Sequence, residues 1–363
     1  MVGIYIGSTA AAAGKNLACM ALGLVLGRDG RSVGYMKPYG QRPRMVDDRT
    51  GDIDAMLVQE VLGQNADPEV VTPVVEPANI RAMSLRGGNA LERVGAAYTA
   101  LARGRDVMLV GGTGSLFHTG RARGLDGLAL VRRLDLRVVL VERYHPHPEG
   151  GGIDHDAILY AADVLGDRLA GVLLNDLPES YQRDAEEVLV PYLAEHGVRV
   201  LGLVPHDPLL HAIRASDLAV RLGGRLVCGG KGSQRLVEGF LIGTMQVENF
   251  MSHFRRHANT ATIVGGDRTD LQLVALEGQC PCLVLTGNMP PDELIRQRSE
   301  QHGAPVIVVR EDTYTVARKM EEILNSQKLR DLVTIRRGAD IVAGALDRAA
   351  LLAQTGIPKG ENR

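Results

Sequence analysis

The chain has 363 residues, 45% hydrophobic and 23% charged, with a formal net charge of −2 and a pI near 6.6. That length is a prior for two domains, and the near-neutral charge argues against nucleic acid or an anionic membrane as the partner. No apolar run reaches the roughly 18 residues of a membrane span, a strand pattern begins at once with no secretory signal ahead of it, and four scattered cysteines (19, 228, 280, 282) make no disulfide framework, so a reducing cytoplasm is the expected compartment.

In chain order, short runs of Val, Ile, Leu or Met predict strands at 2–6, 32–36, 106–110, 137–142, 169–174 and 199–203. These runs show little polar alternation, as in strands buried on both faces. Helical spacing falls between them, near 15–29, 51–62, 89–104, 124–133, 153–165 and 179–197. The alternation predicts a doubly wound parallel α/β sheet, with ligands at the carboxyl ends of its strands. After about residue 205 the pattern changes. Gly229-Gly230-Lys231-Gly232 reads as a hinge or turn, and a second α/β unit follows. It has helices at 244–256, from Asp270, near 291–302 and near 314–325, with strands at 260–264, 282–286 and 305–309. The tail from Gln354 is polar and expected to fray. Cys280-Pro-Cys282 borders a strand and reads as buried thiols, not as a metal or redox pair.

The stretch Gly7-Ser-Thr-Ala-Ala-Ala-Ala-Gly14-Lys15-Asn16 lies between a strand pattern and a helix pattern. That is the setting a phosphate-binding loop needs. Small residues let backbone N–H groups curl round an anion, the helix N-terminus adds partial positive charge, and Lys15 adds a full one. From Thr9 the spacing is that of a Walker A loop, with Thr9 at the usual first Gly and Asn16 where a Mg²⁺-binding Ser or Thr normally stands. The nucleotide site expected is therefore Thr9, Ala10, Ala11, Ala12, Ala13, Gly14, Lys15 and Asn16. The alternative is a small-residue turn that binds nothing.

With Val33-Gly-Tyr-Met-Lys-Pro38, Asp54-Ala-Met-Leu-Val-Gln-Glu60, Val110-Gly-Gly-Thr-Gly114, Leu173-Leu-Asn-Asp176, Leu203-Val-Pro-His-Asp207 and Gly266-Asp-Arg-Thr269, the chain resembles two joined modules. Residues 1–225 resemble a dethiobiotin synthetase-like P-loop domain, and 226–350 a DRTGG domain, as in the N-terminal region of long phosphotransacetylases. Residues 351–363 are expected to be a flexible tail. No acetyltransferase domain is expected within these residues. The resemblance implies that Lys37 acts near the phosphates or a second substrate, that Asp54 helps hold Mg²⁺ and that Asn175 contacts the base. A solvated loop lysine, a helix-start aspartate and an Asx-turn are the plainer readings of those three. Asp267, Arg268 and Thr269 would bind a second ligand or cap the next helix, capping being favoured.

Departures from that family's pattern matter. Ala10 replaces an Asp, Asn16 a Thr, and Gly111 a Glu that would help hold Mg²⁺, while Asp270 and Leu271 replace the glycines of DRTGG. Phosphoryl transfer depends on metal and charge positioning, so binding of ATP with weak or no turnover is expected, Mg²⁺ being held by nucleotide, water and Asp54. The loop His145–His155 invites a metal reading, but its prolines and glycines suit a ligand-ordered segment better. The function expected is a cytoplasmic nucleotide-binding regulatory protein. The alternatives are an ATP-dependent ligase resembling dethiobiotin or cobyrinate diamide synthetases, with Lys15 and Lys37 stabilising a phosphorylated carboxylate, and a scaffold with a vestigial loop. A homodimer or larger assembly through residues 226–350 is expected. The apolar stripe Met245–Phe250–Phe254, with Met251 beside it, would serve either an isologous helix pair or its own domain's core.

Overall fold

The computed structural model describes residues 1–76, 88–146, 151–254, 259–325 and 332–358. The chain forms two compact units: Met1–His206 with the stretch from Ile335, and Asp207–Thr334.

The first unit is built on a six-stranded parallel sheet. Its order across the sheet is Val200–Pro205, Leu169–Leu177, Arg137–Arg143, Val2–Gly7, Val107–Gly111 and Val33–Met36. Every neighbouring pair runs parallel, with Ile4 opposite Leu109 on one side and Arg137 on the other. All six strands coincide with the continuous apolar runs of the sequence. Ile4, Ile6, Leu109, Val139 and Leu140 are wholly buried, and each such side chain contributes about 1.5–3 kcal/mol of hydrophobic stabilisation. Val2–Gly7 lies at the centre, so the loop after Gly7 opens at the carboxyl edge between the ends of Val107–Gly111 and Arg137–Arg143.

Two features escape simple periodicity. A hairpin of Pro43–Val46 and Arg49–Asp52 follows the second strand of the chain, and its turn residues Asp47 and Asp48 both have left-handed backbones (φ 48° and 61°), as a two-residue hairpin turn requires. Asp52 then caps the helix Ile53–Val61 by accepting from the N–H groups of Asp54 and Ala55. The expected helix at 179–197 is interrupted by a π-helical segment, Ala185–Leu189. Pro191, just beyond it, has no N–H to continue an α-helical ladder.

The second unit has a five-stranded sheet ordered Arg225–Cys228, Val306–Val308, Leu283–Thr286, Thr260–Gly265, Gly239–Gly243. Arg225–Cys228 is antiparallel to its neighbour and the rest are parallel. Separate apolar clusters cover it, one holding Ile263 and Val316, the other Phe250 and Leu285.

Two expectations differ from the structure. The helix Ala215–Leu222 places Leu218 and Leu222 in the second unit's core, ahead of the expected boundary near residue 225. Residues 351–358 are not a loose tail: the helix Arg348–Thr355 is capped by Asp347 and buries Leu351, and Ile357 beyond it is buried too. Residues 359–363 of that expected tail lie outside the described residues. Of the stripe Met245–Phe250–Phe254, Phe250 is fully buried in its own unit's core, with its ring 5.8 Å from that of Phe254, while Met251 beside it is exposed.

Candidate phosphate-binding site

The loop between Gly7 and the helix Lys15–Arg28 is shaped by two left-handed residues, Ala12 (φ 57°) and Gly14 (φ 102°). Left-handed residues of this kind occur where a loop turns its N–H groups toward an anion at a helix N-terminus. Only glycine suits position 14. Its backbone is left-handed, and a Cβ there would run into the Asn175 amide. Asn175 Nδ2 donates to the Ala13 carbonyl at 2.8 Å, so Asn175 braces the loop from the end of its strand and does not form an Asx-turn. Ala11 and Ala12 are exposed, Thr9, Ala10, Gly14 and Asn16 are half-buried, and Ala13 is buried.

Lys15 is buried. Its Nζ donates to Ser8 Oγ at 2.5 Å, to the Gly114 carbonyl at 2.8 Å and to the Ala10 carbonyl at 3.3 Å. Burial lowers its pKa to about 8. Glu142 opposes that shift, and Lys37 adds to it. Lys15 thus stands at the head of its helix, held by three neutral oxygens with the Glu142 carboxylate nearby. Glu142 supplies a second constraint: its carboxylate oxygens accept from the Thr9 N–H and the Thr9 Oγ1, each at 2.7 Å. Burial raises the Glu142 pKa, and the two bonds from Thr9 oppose the rise. The sequence reading missed Glu142. The available signal was a lone carboxylate at the end of the apolar run Val138–Val141.

A second polar cluster lies on the adjacent strand ends. Lys37 Nζ is 2.7 Å from Asp52 Oδ1 and 3.4 Å from Asp54 Oδ2, while Arg42 Nη1 is 2.7 Å from Asp54 Oδ1. Asp52 Oδ2 accepts from the Arg42 N–H. Lys37 is therefore not a solvated loop lysine, and Asp54 is tied to two cations. Asp52 and Arg42 were missed because only the hairpin brings them together. Tyr35 completes the floor. It is buried, its hydroxyl has no hydrogen-bond partner, and burial pushes its pKa well up. A Cβ at Gly111 would stand 2.8 Å from that hydroxyl oxygen and 3.2–3.4 Å from the ring. Cys19, on the loop helix, is also buried, with its thiol raised to about 12.

In the second unit, Arg268 is paired with Asp270 at 2.9 Å and reaches the Met245 carbonyl at 3.4 Å. Arg268 is the N-cap residue of the helix Thr269–Glu277, and no side chain caps it. Thr269 Oγ1 donates to Asp292 at 3.3 Å. The favoured capping role of Asp267–Thr269 is thus not realised by side chains: Gln272 instead holds the turn, donating to the Gly265 and Gly266 carbonyls. Of the loop His145–His155, residues 147–150 lie outside the described residues. His145 bridges to Gly152, and Asp154 caps the helix His155–Leu165. Among the described residues no helix is long and apolar enough to cross a membrane.

Residues 2–214 match the AAA domain family, and 217–323 match the DRTGG domain. The chain is 27% identical over 367 aligned residues to the phosphate acetyltransferase of Pseudomonas putida, covering 95% of this chain and 51% of that protein. It is 30% identical over 225 residues to the ATP-dependent dethiobiotin synthetase BioD of Xylella fastidiosa, covering 60% of this chain and 95% of that protein. The chain thus spans about half the length of the phosphate acetyltransferases it matches. Among solved structures, the septum site-determining protein MinD of Pyrococcus horikoshii is similar with a TM-score of 0.36 at 17% identity, covering 58% of this chain and 83% of that one. The chain belongs to the AAA-domain P-loop family that includes dethiobiotin synthetase, here followed by a DRTGG domain.

Proposed function

We propose that this protein is a nucleotide-binding regulatory protein of the cytoplasm. In this reading ATP sits with its phosphates on residues 9–16 and is turned over slowly or not at all. The observation that carries the reading is Lys15, buried at the head of its helix beside the left-handed turn of Ala12 and Gly14 and held only by neutral oxygens. Slow turnover is supported by Asn16 and Gly111, which offer no anionic metal ligand, and by Asp54, whose oxygens face Lys37 and Arg42. The second unit would carry self-association. Its edge strand Gly239–Gly243 borders an open apolar groove of about 660 Å³ lined by Phe240, Ile242, Met245 and Tyr314, among others. Calorimetric titration with ATP, ADP and GTP tests the core of this reading, with saturable binding expected and no heat with any nucleotide rejecting it.

The ligase reading keeps one specific support, the similarity to dethiobiotin synthetase over the first 60% of the chain. In that reading Lys37 would exchange its carboxylate partners for a substrate's. Mg²⁺-dependent release of ADP on addition of a carboxylic acid would favour it over the sensor.

A further inference from the structure

Resting on the nucleotide reading above, we propose that this site takes its phosphoanion without a divalent cation held by the protein. Of the three places where the resemblance would put that cation's ligands, two carry no carboxylate and the third holds one set against two cations. At position 111 there is no side chain, and the space a side chain would enter is filled by the Tyr35 hydroxyl. That hydroxyl is buried and unpartnered, a neutral group at a point where a carboxylate would be needed to hold a hard cation. At Asp54, Oδ1 faces Arg42 at 2.7 Å and Oδ2 faces Lys37 at 3.4 Å, so a divalent ion would be brought up against two positive charges. At position 16 stands an amide, whose oxygen is neutral like the Ser or Thr hydroxyl it replaces and brings no negative charge to a cation.

The remaining carboxylates nearby are no freer. Asp52 is engaged by Lys37, by the Arg42 N–H and by the N–H groups of its own helix. Glu142 has both oxygens on Thr9. Among the described residues no group of three or more His, Cys, Asp or Glu side chains is placed to hold a metal. The residues present do not fit Mg²⁺. Charge compensation falls to Lys15 and to the backbone N–H groups of the loop, which attract the free nucleotide at least as well as its magnesium complex, since the free form carries more negative charge.

The test uses the full-length protein, titrated calorimetrically with ATP in excess EDTA and again in millimolar Mg²⁺. The expected result is an affinity in EDTA equal to or tighter than that in Mg²⁺. Binding at least tenfold tighter with Mg²⁺ overturns the proposal and leaves nucleotide binding standing, whereas absence of binding under both conditions overturns the nucleotide reading and this proposal with it. Asp54→Asn gives an independent readout. Any change it makes should be the same fold-change in EDTA and in Mg²⁺. A loss seen only with Mg²⁺ present would identify Asp54 as a metal ligand and sink the proposal.

Discussion

Glu142 holds Thr9 twice, once at the backbone N–H and once at the hydroxyl, each at 2.7 Å. One carboxylate, 133 residues away in the chain, thus pins the first turn of the phosphate loop. Glu142→Ala should leave the half-buried Thr9 N–H without a partner and cost about 1–3 kcal/mol. The pH sign follows from the raised pKa of Glu142. The linked stability is fully present below the unfolded value of about 4.3 and is lost as pH rises through the folded value. Urea melts of wild type and Glu142→Gln across that range should converge toward, or cross in favour of, the variant as pH increases. A gap that widens with pH contradicts the assignment.

Lys15 has the opposite sign. Its folded pKa is lowered to about 8 from 10.5, so the linked stability is complete above 10.5 and is lost as pH falls through about 8. A phosphate partner needs the charged form. Nucleotide affinity should therefore weaken above pH 8, by up to about tenfold per pH unit. Lys15→Ala should bind at least tenfold more weakly at pH 7, about 1.5–3 kcal/mol for a lost charge-assisted contact, and should lose the pH dependence. Calorimetry at pH 7, 8 and 9 checks both statements together, and equal affinity of variant and wild type at pH 7 removes Lys15 from the site.

Restoring a carboxylate at position 111 is not a simple graft. Gly111→Ala alone should destabilise by about 1–3 kcal/mol, the usual range for overpacking, because its Cβ meets the Tyr35 hydroxyl. Tyr35→Phe removes the nearest atom and an unpartnered buried hydroxyl, so by itself it should be neutral or stabilising. The double variant should recover part of the Gly111→Ala loss, giving a coupling of about 0.5–3 kcal/mol in a double-mutant cycle. Strict additivity would mean that the two positions do not compete for the same space.

Turnover should fall below about 1 s⁻¹, at the bottom of the ordinary range for enzymes. A coupled ADP-release assay in Mg²⁺ measures it directly. A faster rate rejects the sensor reading.

Self-association should run through the apolar groove beside Gly239–Gly243. Tyr314, 72% exposed at that groove, is the residue to change. Light scattering at tens of micromolar should show a dimer or larger for the full chain and a smaller species for Tyr314→Glu. A wild-type monomer under those conditions excludes the assembly.

The sequence alone determined the alternation of buried strands with helices and the position of the loop at residues 7–16. Both follow from local patterns: strands buried on two faces read as unbroken apolar runs, and a small-residue loop ending in Lys15 reads as an anion turn. Lys37 and Asn175 were also legible as strand-end residues facing the same edge. Only tertiary structure decided what those groups do. Glu142, Tyr35, Asp52 and Arg42 come from separate strands and a hairpin, and their effects depend on distances of a few ångströms across the sheet edge. The fold sets Asp54, read from the sequence as a metal ligand, against Lys37 and Arg42. Phe250 is seated in its own unit's core, while Met251 beside it in the sequence stays exposed. Helical periodicity marks which face is apolar and carries no information about what covers it, and a charged side chain's role is set by the partner the fold brings to it.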